Sequence, residues 1–184
     1  MDADIRANGL PTWDLFRDRL EHCLARARRS KTAFGVALIA ARCLDQTGAA
    51  VDEPEGWWQV LADRLQILVR SSDTVAMAPD RRFALLLEDV SDSRGAAIGL
   101  DRTLSEITEF GHEGHVWQVE LRAGVAVSRP PHRPAEEILL KVEVALLHAM
   151  ERPGTGFFLN QDPPEPALKT ERVNDHRRPG STAS

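Results

Sequence analysis

Ala33 to Ala41 form an unbroken apolar run. It is far shorter than the roughly 20 residues a bilayer-spanning helix needs. It suits a strand buried on both faces, and such a strand demands helices or further strands to cover each face. The flanking sequence supplies candidates. Thr12 can cap a helix in which Trp13, Phe16, Leu20, Cys23, Leu24 and Ala27 recur at helical spacing. That helix closes in a basic run, Arg26, Arg28, Arg29 and Lys31, which suits the negative end of the helix dipole. Residues 42–55 are polar, interrupted by Gly48 and Pro54, and read as a loop. Trp57, Trp58, Leu61, Leu65, Leu68 and Val69 then give a second amphipathic helix.

Two short apolar runs follow, Thr74 to Met77 and Phe83 to Leu87, around Pro79-Asp80. This predicts a hairpin with proline as the turn's second residue and aspartate as its third. Ala96, Ala97, Leu100, Leu104 and Ile107 predict a third helix over Ser91 to Phe110, and Val116 to Val127 a long strand. Pro134, with Glu136 and Glu137 behind it, opens a fourth helix running through Ile138 to Met150. Thr155 to Leu159 is a last short strand. The pattern predicts an α/β fold, a mixed central β-sheet covered by helices. Residues 1–160 form one domain, and the Pro-rich segment 161–184, without apolar periodicity, is expected to be a disordered tail.

Composition narrows the function classes. A formal net charge of −5 argues against a general nucleic-acid binder. The two cysteines, Cys23 and Cys43, lie too far apart in sequence to suggest a zinc site, and they are too few for a disulfide framework. The acidic start Met1-Asp2-Ala3-Asp4 does not read as a signal peptide, so a cytoplasmic location without membrane attachment is expected.

Several stretches, in order, resemble the GGDEF domain, the diguanylate cyclase family. Gly9-Leu10-Pro11 with Phe16 resembles its opening G-L-P-N-R-x-x-F. Arg70 to Ala76 resembles the lead into its signature hairpin, and Phe83 to Leu87 the strand after it. Ala123-Gly124-Val125-Ala126 resembles its S-x-G-V-A strand, and Ala135 to Leu146 its last helix. The resemblance implies a nucleotide-cyclase-like fold over residues 9 to 159.

It also exposes what has changed. Where the family has G-G-D-E-F, this chain has Pro79-Asp80-Arg81-Arg82-Phe83. Pro79 has no N–H to offer a phosphate. Arg81 and Arg82 put positive charge where the family holds magnesium with carboxylates. The end of the first strand reads Ala41-Arg42-Cys43, with no carboxylate, and the family's phosphate-binding lysine falls at Met150. The loop that recognises guanine in the family is shortened, without its N-D…G-H…G-D pattern. The expectation is a degenerate, non-catalytic domain with no catalytic residues, no metal and no cofactor.

The family's second nucleotide site, R-x-x-D before the hairpin, has its letters in place. Arg70 and Asp73 precede Pro79 with residues 74–78 between. By resemblance they imply binding of cyclic di-GMP, with Arg102 as a third ligand residue and Arg94 as the alternative. The chemistry fits, since arginine donates twice to guanine O6 and N7 and aspartate accepts from the base's N–H groups. The same pattern recurs at Arg42/Asp45 and Arg172/Asp175 without any such role. The plainer reading of Arg70 and Asp73 is a surface pair worth under about 1 kcal/mol.

Other candidates have plain readings too. His112 and His115 flank Gly114 in a polar loop and lack a third metal ligand. Of Trp57 and Trp58, set about 100° apart on a helix, one is expected in the core and the other free for a partner. Arg81 and Arg82 with Arg26, Arg28 and Arg29 could form an anion patch, with a solvated face as the plainer reading, and Cys43 has no His or Asp beside it in sequence to activate it. The sequence supports two functional readings. One is a cyclic di-GMP receptor acting through an unidentified protein partner or its own dimerisation. The other is a protein-interaction module that binds no nucleotide.

Overall fold

A computed structural model of the chain describes residues 9–112 and 114–160, so the tail expected at 161–184 lies outside the described residues. The elements run α1 (Trp13–Ser30), β1 (Ala33–Leu44), α2 (Trp57–Leu68), β2 (Thr74–Ala78), β3 (Arg82–Val90), α3 (Ser93–Ser105), β4 (Glu109–His112), β5 (His115–Ser128), α4 (Ala135–Met150) and β6 (Gly156–Asn160). The strands form one sheet in the order β2-β3-β1-β5-β4, with β6 also paired to β5. β1 lies antiparallel between β3 and β5. On the far edge of β5, β4 pairs antiparallel with its first residues and β6 parallel with Arg122 to Ala126.

The alternation of a strand divides the core. Val36 and Leu38 of β1 join α1 and α4 on one face. Ala37 and Ile39 join α2 and α3 on the other. The result is a mixed sheet between two helical layers. α1 begins at Thr12, whose Oγ1 accepts from the Leu15 N–H at 3.3 Å. α4 approaches the sheet very closely at Gly124. A Cβ there would stand 2.1 Å from the Leu146 nitrogen, so only glycine fits beneath the helix.

Three sequence expectations change. The third helix ends at Ser105, and Glu109–His112 is a strand. Phe110 leaves the helical pattern because its ring is buried between Trp57 and Trp117, at 5.3 and 5.6 Å. His112 and His115 are therefore a registered pair at the end of a hairpin rather than loop residues. β1 continues past Ala41 to Leu44, through Arg42 and the buried Cys43, because β5 pairs with it throughout. Finally, the β2–β3 turn puts Asp80 and Arg81, with φ of 57° and 54°, at its two left-handed positions, and Pro79 comes before them.

Candidate functional site

Two concave regions flank the β2–β3 hairpin, one at its turn and one at its base. At the turn, Arg82 reaches α4, where its guanidinium donates to both carboxylate oxygens of Glu143 at 2.6 and 3.0 Å. Its Nε donates to the Pro79 carbonyl at 3.1 Å, and Asp80 stands 3.5 Å away. Arg81 turns the other way. It pairs with Glu53 at 2.6 Å and lies over the Trp58 ring, 5.2 Å from its centroid. The Trp58 Nε1–H donates to the same Glu53 oxygen at 2.7 Å.

Between these clamps lies a cleft of about 400 Å³, walled also by Ala40, Ala41, Leu147 and Met150. All five charged side chains lining it are ion-paired within it. Among the described residues, no three of His, Cys, Asp or Glu stand together to hold a metal ion.

These contacts correct the sequence reading. Arg81, Arg82 and Arg26 do not form an anion patch, since each is neutralised on a different element, Arg26 by Glu88. Trp57 is core. Trp58 is not free for a partner, because Phe83 (5.2 Å) and Arg81 pack against it. Cys43 is buried, and desolvation, with Glu53 nearby, holds its thiol above the ordinary range.

At the base of the hairpin, a pocket of about 440 Å³ opens between the end of α2, the end of β3 and α3. Arg70, Asp73 and Arg102 all line it, and Arg94 does not. Arg70 lies just past α2, and Arg102 in the last turn of α3. Both are exposed, and among the described residues neither guanidinium makes a hydrogen bond or an ion pair.

Asp73 is more engaged. Its Oδ2 accepts from the Arg70 N–H at 3.0 Å, and its Oδ1 from the Glu88 N–H at 3.1 Å. Thr74 and Leu86 are the last backbone pair of the β2–β3 ladder, so the Asp73 carboxylate supplies one more rung. Each oxygen keeps a lone pair for another donor.

Next to this rung β3 is irregular. Its register with β1 slips between Ala33↔Val90 and Gly35↔Leu87, and Asp89 adopts a φ of 51°. Such a bulge re-aims neighbouring side chains. Glu88, Asp89 and Gly99 complete the pocket wall; the sequence pattern gave no sign of them.

The comparisons agree on architecture. The family model described as "Diguanylate cyclase, GGDEF domain" matches residues 6–155. The GGDEF domain of TpbB (YfiN) from Pseudomonas aeruginosa superposes with a TM-score of 0.73 at 20% identity, covering 85% of this chain and 94% of that one. The GGDEF domain of DgcB from Caulobacter crescentus, in complex with c-di-GMP, gives 0.70 at 13% identity, covering 88% and 98%. The diguanylate cyclase SiaD of Pseudomonas aeruginosa, in complex with its activator SiaC, gives 0.67 at 18% identity, covering 81% and 58%. Among curated proteins none matches this sequence. The layered sheet, the hairpin between its two hollows and the family match along most of the chain lead to one assignment: the chain belongs to the GGDEF domain family.

Proposed function

We propose that this GGDEF domain is a non-catalytic receptor that binds cyclic di-GMP in the pocket lined by Arg70, Asp73 and Arg102 and passes the signal on through protein–protein contact. The observation that carries this reading is the pair of guanidiniums on one pocket, without a partner among the described residues, beside a carboxylate with acceptor capacity left. Guanidiniums bind the O6/N7 edge of guanine or a phosphate with two parallel hydrogen bonds, and cyclic di-GMP offers both groups twice. The Caulobacter DgcB domain was solved with this ligand, and SiaD with a protein partner.

The cleft at the turn supports the absence of catalysis. Cyclase chemistry on two nucleotides calls for magnesium held by free carboxylates and for backbone donors around phosphate. Here Pro79 lacks the donor, and Glu53, Asp80 and Glu143 each face a guanidinium. The donor set does not fit the metal.

A second reading, an interaction module without nucleotide binding, draws on α4. Its Leu140, Val144 and Leu147 are exposed at helical spacing. The two backbone contacts of Asp73 would then be its whole role.

Calorimetric titration of cyclic di-GMP into the full chain and into Arg70→Ala separates the readings. Heat that disappears in the variant supports the receptor, and silence in both supports the module. Product formed from GTP and magnesium would overturn the absence of catalysis.

A further inference from the structure

α4 is apolar on both sides. Ile138, Val142 and Leu146 supply the stripe that seats it in the core. Yet Leu140, Val144, Leu147 and Met150 are exposed, Leu140 and Leu147 to 64% and 63%. Among the described residues eight large apolar side chains are exposed, and half of them share this one helix. A helix apolar all round is ordinarily covered all round. Clustered apolar exposure marks an interaction site, where scattered exposure does not.

The charges around the stripe say what covers it. Leu140, Val144 and Leu147 follow one helix face, and Glu136 and Glu151 continue that line, four residues before Leu140 and four after Leu147. Both glutamates are exposed. At the first end the acid extends onto α1, where Asp14, Asp18 and Glu21 line a hollow of about 260 Å³ with Glu136, and Arg17 is the cation in its wall. The basic groups of α4 are turned aside. Lys141 lines a hollow with Asn160 on the flank toward β6, and His148 and Arg152 lie against the Phe158 ring, at 4.9 and 5.3 Å. A second copy of the chain therefore fits poorly. Paired antiparallel, it sets Glu136 against Glu151; paired parallel, it sets each against its own counterpart. An anionic bilayer meets the same acids.

We infer that the outer face of α4 is a docking surface for an amphipathic helix of another protein, one with apolar anchors at i, i+4 and i+7 and with arginine or lysine beyond both ends. Helices that lie on apolar surfaces present anchors at this spacing. The cations at one end meet Glu136 with the α1 acids behind it, and those at the other meet Glu151. This gives the protein contact of the reading above its surface and its partner's chemistry. It rests on that half of the reading alone, and cyclic di-GMP has no part in its test.

Fluorescence anisotropy of a labelled synthetic helix decides the matter. The helix carries leucines at the spacing of Leu140, Val144 and Leu147 and arginines at the spacing of Glu136 and Glu151; a control helix has glutamates for the arginines. The arginine helix should bind the full chain. Leu147→Ser should weaken it by at least about tenfold while the melting temperature holds, since Leu147 is exposed. Glu136→Lys combined with Glu151→Lys should reverse the preference, so that the glutamate helix binds the more tightly. These results together support the inference. No binding of the arginine helix, binding indifferent to Leu147→Ser, or a preference that survives the charge swap overturns it. A dimer seen by analytical ultracentrifugation and lost in Leu147→Ser overturns it in favour of a second copy. Binding to phosphatidylserine vesicles lost in the same variant overturns it in favour of a membrane. Each outcome leaves the receptor reading to its own titration.

Discussion

Arg82 at the start of β3 and Glu143 on α4 are joined by two hydrogen bonds, of 2.6 and 3.0 Å. Arg82 is largely enclosed, and Glu143 is partly open to water. The bidentate geometry makes this pair stronger than an ordinary surface pair. A double-mutant cycle with Arg82→Met and Glu143→Gln should return a coupling of about 1 kcal/mol in urea unfolding. A coupling near zero would mean that the turn is not tied to α4.

Arg70 and Asp73 should separate in stability. Arg70→Ala removes a side chain that has no partner among the described residues, so unfolding should shift by less than about 0.5 kcal/mol. Asp73→Ala strips two backbone N–H groups of their acceptor and should cost about 1–2 kcal/mol. Denaturation curves of the two variants test this, and they also show which variant is the clean probe of binding.

Gly124→Ala should be among the most damaging single substitutions in the chain. The added Cβ would meet backbone atoms of α4, at 2.1 Å from the Leu146 nitrogen and 2.4 Å from the Val142 carbonyl oxygen, and backbone cannot step aside as a side chain can. A loss of about 3 kcal/mol or more, or failure to fold, is expected in equilibrium unfolding.

Cys23 should be inert and should make the fold sensitive to alkali. Burial first, then the charge of Glu88, pushes its thiol from 9.0 up to about 11. The folded state holds this proton more tightly than the unfolded state does. Its contribution to stability is therefore complete below 9.0 and declines as pH rises toward 11. Thiol-reagent titration near pH 8 should find Cys23 unreactive until denaturant is added.

His132 should act at the acid end. Its ring stacks on Phe34 at 5.7 Å, and its Nδ1 lies 2.8 Å from the Ser128 hydroxyl. Burial, aided by Arg28, lowers its pKa from 6.5, outweighing the opposing carbonyls of Ala27 and Thr32. The neutral ring is the one the fold favours, so this stability is present above 6.5 and is lost as pH falls below it. Comparing urea midpoints of wild type and His132→Gln between about pH 7.5 and pH 5 should show a smaller acid loss in the variant.

The sequence was most legible where one element dictates its own pattern. The apolar run of β1 and the amphipathic stripes of α1, α2 and α4 can be read directly. β4 was hidden because Leu100, Leu104 and Ile107 keep helical spacing, although Ile107 is buried beyond the end of α3. Only the cross-strand pairing with β5 makes residues 109–112 a strand. The two clamps of the turn were equally hidden, since Glu53 and Glu143 meet Arg81 and Arg82 only after the chain has folded. Arg70, Asp73 and Arg102 could be named from the family's order of motifs. Their common pocket depends on a bulge at Asp89 and on where α3 crosses the sheet, neither of which leaves a sequence pattern.

Glu88 joins a helix to the end of the sheet. Its side chain pairs with Arg26 of α1, while its N–H donates to Asp73 at the mouth of the pocket. At this corner, one residue ties the β2–β3 ladder to α1. The outer helix and the arginine-bearing turn thus share one anchoring residue at the end of β3.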